Sequence, residues 1–496
     1  MPEIELKFEL AVEACNALAL APALAGTRAS RDKLLAVYFD TPARDLAKHR
    51  MALRLRRTNN RWHQALKAGA SGTGGLHARD EWEMAARGAE LDLSRFSSTP
   101  LAKLPGARTL HRRLAEAFRV EVERTKWRLT PQPGSSVEVA LDVGAVSSGE
   151  RRESILEVEI ESIGGEAMAV FDVAERLLET VPMRPSIVSK AQRGLRLADG
   201  EAPRPVKARA PRLEAAMTPG EAARKVIGAA LFQLQGNEDG VLACEDPEFV
   251  HQMRVALRRL RAALRVFRAE VGRKRARRLN GALRSVARTA GIARDWDVFE
   301  TETLPHLMQH LGEEQEGREA GPQVHARRAE ARETLRVALR SPAHARVVLS
   351  LARWLAGPPA GGEPQPLAVF AARAAARQHR KLARRAEGLD PFDSPRRHKL
   401  RIQAKRLRYA LDTFEGLFPP RQARAYLDAL SDLQDDLGAA NDAHVAAALL
   451  DSLVLDPEPA RRARGHLAAV EHERAARLDA HLEAILGARR FWEAAI

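Results

Sequence analysis

Cysteine is almost missing: two in 496 residues, Cys15 and Cys244. So far apart, they offer neither a disulfide framework nor a metal-binding spacing, and a reducing, cytoplasmic setting is expected. Aromatic residues make up only 5% of the chain. That leaves little for base stacking and argues against nucleic acid as the partner. No apolar run approaches a membrane span, and the N-terminus opens on an alternating strand with no apolar signal core, so no membrane role is expected. What is plentiful is Ala, Leu and Arg, which favours helix, in a chain long enough for two or three cores. The net charge of +15 is uneven. Residues 1–200 hold 30 Lys+Arg against 27 Asp+Glu; the rest hold 50 against 38. A basic C-terminal part implies a polyanionic partner.

The first strand, Met1 to Leu10, sets the pattern. Glu3, Glu5, Lys7 and Glu9 share one face, and Ile4, Leu6, Phe8 and Leu10 the other. Alone, it reads as a surface strand with one wet face. The same charged alternation recurs in Arg54 and Arg56, in Arg79, Glu81 and Glu83, and in Arg124, Lys126 and Arg128. It returns in Glu138 and Asp142, then in Glu157, Glu159 and Glu161. Asn59-Asn60 marks a hairpin, and the Gly-rich stretch Ala68–Gly75 lacks the order of a P-loop. About eight strands are expected, with helices over 12–25 and 165–181. The fold this predicts is α+β: an eight-stranded antiparallel β-barrel whose charged lumen forms a tunnel, its apolar outside covered by flanking helices. Enclosed charges of both signs must pair or bind ions.

Six blocks then coincide in order and spacing: Glu3-x-Glu5-x-Lys7, Tyr38-Phe39-Asp40-Thr41, Leu53-Arg54-Leu55-Arg56, the Lys67 strand, Glu157-x-Glu159-x-Glu161 and Ser189-Lys190. Together they resemble the CYTH superfamily, the triphosphate tunnel metalloenzymes, over about 195 residues. The resemblance implies hydrolysis of a triphosphate. Lys7, Arg54, Arg56, Lys67, Arg124 and Lys190 would grip phosphate oxygens, Arg as a bidentate fork and Lys as a point charge. Glu3, Glu5, Asp142, Glu157 and Glu159 would surround Mg²⁺ or Mn²⁺, hard cations suited to oxygen donors. Glu3, Glu5, Glu157 and Glu159 are the catalytic candidates, any of which could orient the attacking water.

Asp199–Pro211 is rich in Pro and charge and reads as a linker, giving domains at 1–200 and 213–496 with 201–212 between. Beyond it lie long helices containing a repeat. His251-x-x-Arg254-x-x-x-Arg258-x-x-Arg261 aligns with His398-x-x-Arg401-x-x-x-Lys405-x-x-Arg408, and Arg294-Asp295 with Asn441-Asp442. Two pseudo-symmetric helical bundles, all α, are expected, with Val255, Leu260 and Leu264 facing the first core. Each basic stripe lies on one helix face, where like charges repel, which points to an anion groove; histidine–metal binding is the alternative for His251 and His398. This half resembles the CHAD domain, an all-helical module implied to bind inorganic polyphosphate. The whole chain thus reads as an inorganic triphosphatase whose helical domain binds polyphosphate, an expectation that extends to association with polyphosphate granules. The alternatives are a class IV-type adenylyl cyclase, a thiamine triphosphatase, or a non-catalytic polyphosphate-binding scaffold.

Overall fold

The structure, a computed structural model, describes residues 3–69, 72–312, 314–358 and 365–495. The strands are β1 (Glu3–Leu10), β2 (Ser30–Asp40), β3 (Met51–Thr58), β4 (Arg61–Ala68), β5 (Leu76–Ala85), β6 (Ala115–Leu129), β7 (Ser136–Ser148), β8 (Arg151–Gly164) and β9 (Met183–Pro185). The first helices are α1 (Ala14–Ala19), α2 (Asp45–Lys48), α3 (Ala169–Leu177) and α4 (Lys190–Asp199). Then follow α5 (Pro219–Ala243), α6 (Pro247–Val266), α7 (Arg273–Val298), α8 (Leu304–Leu311), α9 (Glu314–Arg340) and α10 (Pro342–Ala356). The last five are α11 (Leu367–Ala386), α12 (Ser394–Phe414), α13 (Pro420–Leu450), α14 (Pro457–Ala476) and α15 (Leu478–Gly487). The chain divides into two compact units, residues 1–205 with 340–357, and residues 206–339 with 358–496.

In the first unit every strand pairing is antiparallel, in the order β5-β4-β3-β2-β6-β7-β8-β1-β9. β5 also pairs with β1, Leu6 facing Leu76, so eight strands curl into a tunnel. The short β9, which the alternation does not reveal, adds to β1. The hairpin at Asn59-Asn60 is a two-residue turn, with Asn59 at φ 53°, a conformation Asn tolerates. Period-2 alternation then sends Leu6 and Phe8 outward into a core with Val139, Val158, Ile160 and α3 residues Phe171, Ala174 and Leu177. Both expected helices are present but shorter, as α1 and α3.

α10 belongs to this unit, although its sequence lies inside the stretch read as the helical half. Its Ala345, Leu349 and Ala352 are buried in the same core. Arg353 bonds Asp172 at 2.7 Å and Glu175 at 3.0 Å. A Cβ at Gly74, whose φ is +72°, would lie 2.2 Å from the Ala352 Cβ, so only glycine permits this approach.

The second unit is all-helical, and α6 and α12 carry the two copies of the repeat. Each starts at an aspartate whose side chain caps the first turn, Asp246 accepting from Glu248 N and Asp393 from Arg396 N. Phe267, Phe370 and Phe414 pack ring on ring beside α6, α11 and α12, with centroids 5.4–6.0 Å apart. Met253, Ala256, Leu257, Leu260 and Leu264 form the buried stripe of α6, whereas Val255 stays half-exposed. Among the described residues, no helix of the chain is long and apolar enough to cross a membrane.

Candidate active site

The barrel encloses a cavity of about 980 Å³. Its walls follow strand parity. β1 contributes Glu5 and Lys7, β3 Arg54 and Arg56, β4 Lys67, β5 Glu81 and Glu83, β6 Arg124 and Lys126, β7 Glu138 and Asp142, and β8 Glu159 and Glu161. Lys190 arrives from the first turn of α4, fixed by a capping box between Ser189 and Gln192. Gly194 lets α4 seat against Phe118, since a Cβ there would fall 2.1 Å from the ring.

Part of the lumen is apolar, which charge alternation did not anticipate. Leu34, Ala36 and Tyr38 of β2 and Val120 and Val122 of β6 also line it. Ala36, Tyr38, Val120 and Val122 form a core patch against Ala191 and Leu195 of α4.

The charges divide into two groups. In the first, Asp142, Glu157 and Glu159 bring carboxylate oxygens within 4.8 Å of one another. Cross-strand register does this: Asp142 lies opposite Glu157 across β7 and β8, and Lys7 opposite Glu159 across β8 and β1. Lys7 Nζ donates to Glu157 and Glu159 at 2.9 Å each. Lys190 Nζ reaches Asp142 at 2.7 Å and Glu159 at 2.9 Å, and also Glu157. Arg124 forks onto Asp142 at 2.7 and 2.6 Å and reaches Glu159 at 2.5 Å. Burial would strip Lys7 of its proton, but Glu157 and Glu159 outweigh it and push the ammonium up to about 12. Against the same burial, Asp142 and its acidic neighbours hold Lys190 well above the usual lysine value.

The second group is Arg54, Arg56 and Lys67 with Glu81 and Glu83. Arg54 bonds Glu81 at 2.9 Å, Arg56 bonds Glu83 at 2.8 Å, and Lys67 lies 3.1 Å from Glu81. Burial opposes the charge of Arg54, but Tyr38, Glu81 and Glu83 raise its pKa; Arg56 is lowered, first by Arg54 beside it. Glu161, opposite Glu5 in register, is pushed up to about 7 by burial and then by Glu5.

Among the described residues, three buried atoms here lack hydrogen-bond partners: Glu157 Oε2, Arg54 Nε and Arg56 Nε. An orphaned carboxylate oxygen within a hard-oxygen trio fits a divalent cation, and orphaned guanidinium N–H groups fit a phosphate oxygen.

The structure thus gathers Lys7, Arg54, Arg56, Lys67, Arg124 and Lys190 around one cavity, with Glu5, Asp142 and Glu159 on its wall and Glu157 bonded to Lys7 and Lys190. The side chain of Glu3 lies outside the described residues. Asp32 and Tyr38 line the cavity without having been singled out, and Asp32 bonds Lys126 at 2.9 Å. Only the β2–β6 register reveals them. Glu9, on the charged face of β1, serves elsewhere, bonded to Arg184, Arg193 and Ser186. Asp40 of the Tyr-Phe-Asp-Thr block turns the chain, accepting from the backbone N–H groups of Thr41, Leu46 and Ala47.

In the helical unit, Arg254, Arg258, Arg401 and Lys405 lie in one another's field, and Lys405 is lowered to about 7 by burial, then by Arg401 and Arg258. Arg258 Nε and Arg401 Nε have no partner among the described residues. Burial and then Arg294 lower the His251 pKa, and His398 meets Asn441 at 3.3 Å. Arg261 groups instead with Arg284 and Arg406, and Arg408 pairs with Asp412 at 2.8 Å.

A family model for the CYTH domain matches residues 1–195, and one for the CHAD domain matches residues 225–451. The chain is a CYTH domain followed by a CHAD domain. Its CYTH region is similar to an inorganic triphosphatase of Haemophilus influenzae, 31% identical over 159 residues, 32% of this chain and 44% of that protein. The match therefore spans less than half of the relative. An uncharacterised protein of Mycobacterium tuberculosis is 27% identical over 467 residues, covering 88% of this chain and 86% of its own. Among solved structures, the CHAD domain of Ricinus communis is 32% identical, covering 58% of this chain and 98% of that one, with a TM-score of 0.49. A Hippeastrum protein described as a candidate adenylyl cyclase with dominant triphosphatase activity is 20% identical, covering 40% and 97%, with a TM-score of 0.29. At the level of the family, the CYTH domain supports a triphosphate-tunnel hydrolase.

Proposed function

We propose that this CYTH–CHAD protein hydrolyses inorganic triphosphate inside the barrel and binds inorganic polyphosphate on its helical unit. The observation that carries the hydrolase reading is the convergence of Asp142, Glu157 and Glu159 beside six phosphate-type cations in one cavity.

An incoming triphosphate draws Lys7, Lys190 and Arg124 off the three carboxylates, which frees those oxygens. Asp142, Glu157 and Glu159, with Glu5, would then hold Mg²⁺ or Mn²⁺. When bound, such an ion neutralises phosphate charge and polarises the phosphoryl group. Arg54, Arg56 and Lys67 fix the far end of the substrate, and their fixed charges favour the transition state because they need no reorganisation. A glutamate of the wall accepts a hydrogen bond from the attacking water and aligns it.

The apolar strip of Leu34, Ala36 and Tyr38 favours a second reading, a triphosphate bearing an organic group. Both readings are tested by phosphate release from tripolyphosphate, ATP and thiamine triphosphate with Mg²⁺ or Mn²⁺, and after chelation, with cyclic AMP assayed in the ATP reaction. Rapid release from tripolyphosphate alone is expected. Cyclic AMP would move the protein to the cyclase reading. Silence on every substrate, with long-chain polyphosphate still bound, would leave a binding scaffold.

The helical part of the proposal is supported by the cluster of Arg254, Arg258, Arg401 and Lys405, whose orphaned guanidinium N–H groups suit phosphate oxygens.

A further inference from the structure

The two copies of the repeat have diverged at three aligned positions. In the first, Arg254 bonds Gly291 O and Asp295, both at 2.9 Å. Asp297, two residues further on, is fully buried and takes Arg328 at 2.7 Å and Arg332 at 2.8 Å.

In the second copy, the positions of Arg294 and Asp297 hold Asn441 and His444, and Val250 is replaced by Arg397. Here a cavity of about 460 Å³ opens between α12 and α13, lined by Ser394, His398, Lys399, Arg401, Asn441 and His444 among others. Asn441 Oδ1 accepts from Arg401 at 2.9 Å and meets His398 Nδ1 at 3.3 Å, so it orients both toward one place. His398 keeps Nε2 clear of Asn441, where as the imidazolium it donates to an anion, and Arg401 keeps an Nε with no partner among the described residues. Acid is present but peripheral. Asp442 accepts from Asn441 Nδ2 at 3.3 Å, lies 3.6 Å from Arg401 and is 75% exposed, while Glu471 is bonded to Arg397 and lies 3.5 Å from His444.

A cavity with a guanidinium, an ammonium, two imidazoles and an amide suits a compact dianion with three free oxygens. The end of a linear polyphosphate has that chemistry, and so does orthophosphate; an interior phosphoryl unit has two free oxygens and one charge. Arg401 belongs both to this cavity and to the cluster of Arg254, Arg258 and Lys405. A chain lying along that cluster can therefore end here.

We propose that the cavity between α12 and α13 captures the terminal phosphoryl group of a linear polyphosphate, giving the helical unit a polarity along the bound chain. This rests on the reading of that unit as a polyphosphate binder. The test is calorimetric titration of the full-length protein with short linear polyphosphate, a cyclic metaphosphate of matched charge, long-chain polyphosphate and orthophosphate. Wild type is compared with His444→Glu and with Lys399→Glu, both at exposed positions. The barrel cavity is common to all three proteins, so differences between them report on the pocket.

Linear chains are expected to bind about tenfold more tightly than cyclic ones in the wild type, and both variants are expected to erase that preference. Equal affinity for linear and cyclic forms in the wild type would overturn end capture while leaving the groove reading intact. A preference that survives both variants would place the end elsewhere and overturn it too. If orthophosphate saturates the pocket at lower concentration than linear chains, the free ion is the occupant and end capture fails. Loss of long-chain binding in the wild type would instead remove the polyphosphate reading itself.

Discussion

The barrel and the helical unit handle cations in opposite ways. In the barrel, Lys7, Lys190 and Arg124 are each bonded to acids, and their pKa values are raised. In the helical unit, Arg258, Arg401 and Lys405 have few acids beside them, and theirs are lowered, first by burial and then by neighbouring cations. A self-neutralised site can be buried in a closed sheet and opened by exchange of partners. A site of like charges costs stability until an anion arrives.

The sharpest way to break the contrast is Glu157→Gln. One carboxylate leaves the trio, two ammonium groups lose a partner, and turnover of tripolyphosphate should fall by about 10²–10³-fold in a phosphate-release assay. Retention of full rate would remove the acidic trio from the chemistry. Next in size is the apolar seat of the first unit. Leu349→Ala, at a position 1% exposed, should destabilise that unit by about 2–5 kcal/mol, read by denaturant unfolding. An unchanged midpoint would mean that α10 contributes nothing to the barrel core.

In the helical unit, Arg258→Ala should weaken long-chain polyphosphate binding roughly tenfold by titration, because one orphaned fork is lost. An unaltered affinity would take Arg258 out of the groove. The smallest effect is one of pH. Lys405, facing Arg401, Arg258, Arg254 and Asp442, is lowered to about 7, so it is neutral above that pH when free. A bound polyanion favours the charged form, and binding therefore takes up a proton. Affinity should be full below pH 7 and fall above it, by at most about tenfold per pH unit, at constant ionic strength. A flat profile would show that the anion does not touch Lys405.

The sequence by itself determined eight of the strands, the antiparallel sheet and the charged residues of the barrel wall, because a period of two assigns each side chain to a face before any neighbour is known. It also determined the repeat on α6 and α12, since helical spacing places His251, Arg254 and Arg258 on one stripe. Register remained for the tertiary structure. Only pairing of β7 with β8 and of β8 with β1 brings Asp142, Glu157, Glu159 and Lys7 together. Asp32 and Tyr38 joined the lumen for the same reason, on a strand whose apolar inner residues hide its inward face. α10 shows the other limit. Its amphipathic pattern announces a helix with a buried side, but many cores could satisfy that side. The fit of Ala352 over Gly74 assigns it to the barrel unit, because close packing depends on shape, and shape is not written in periodicity.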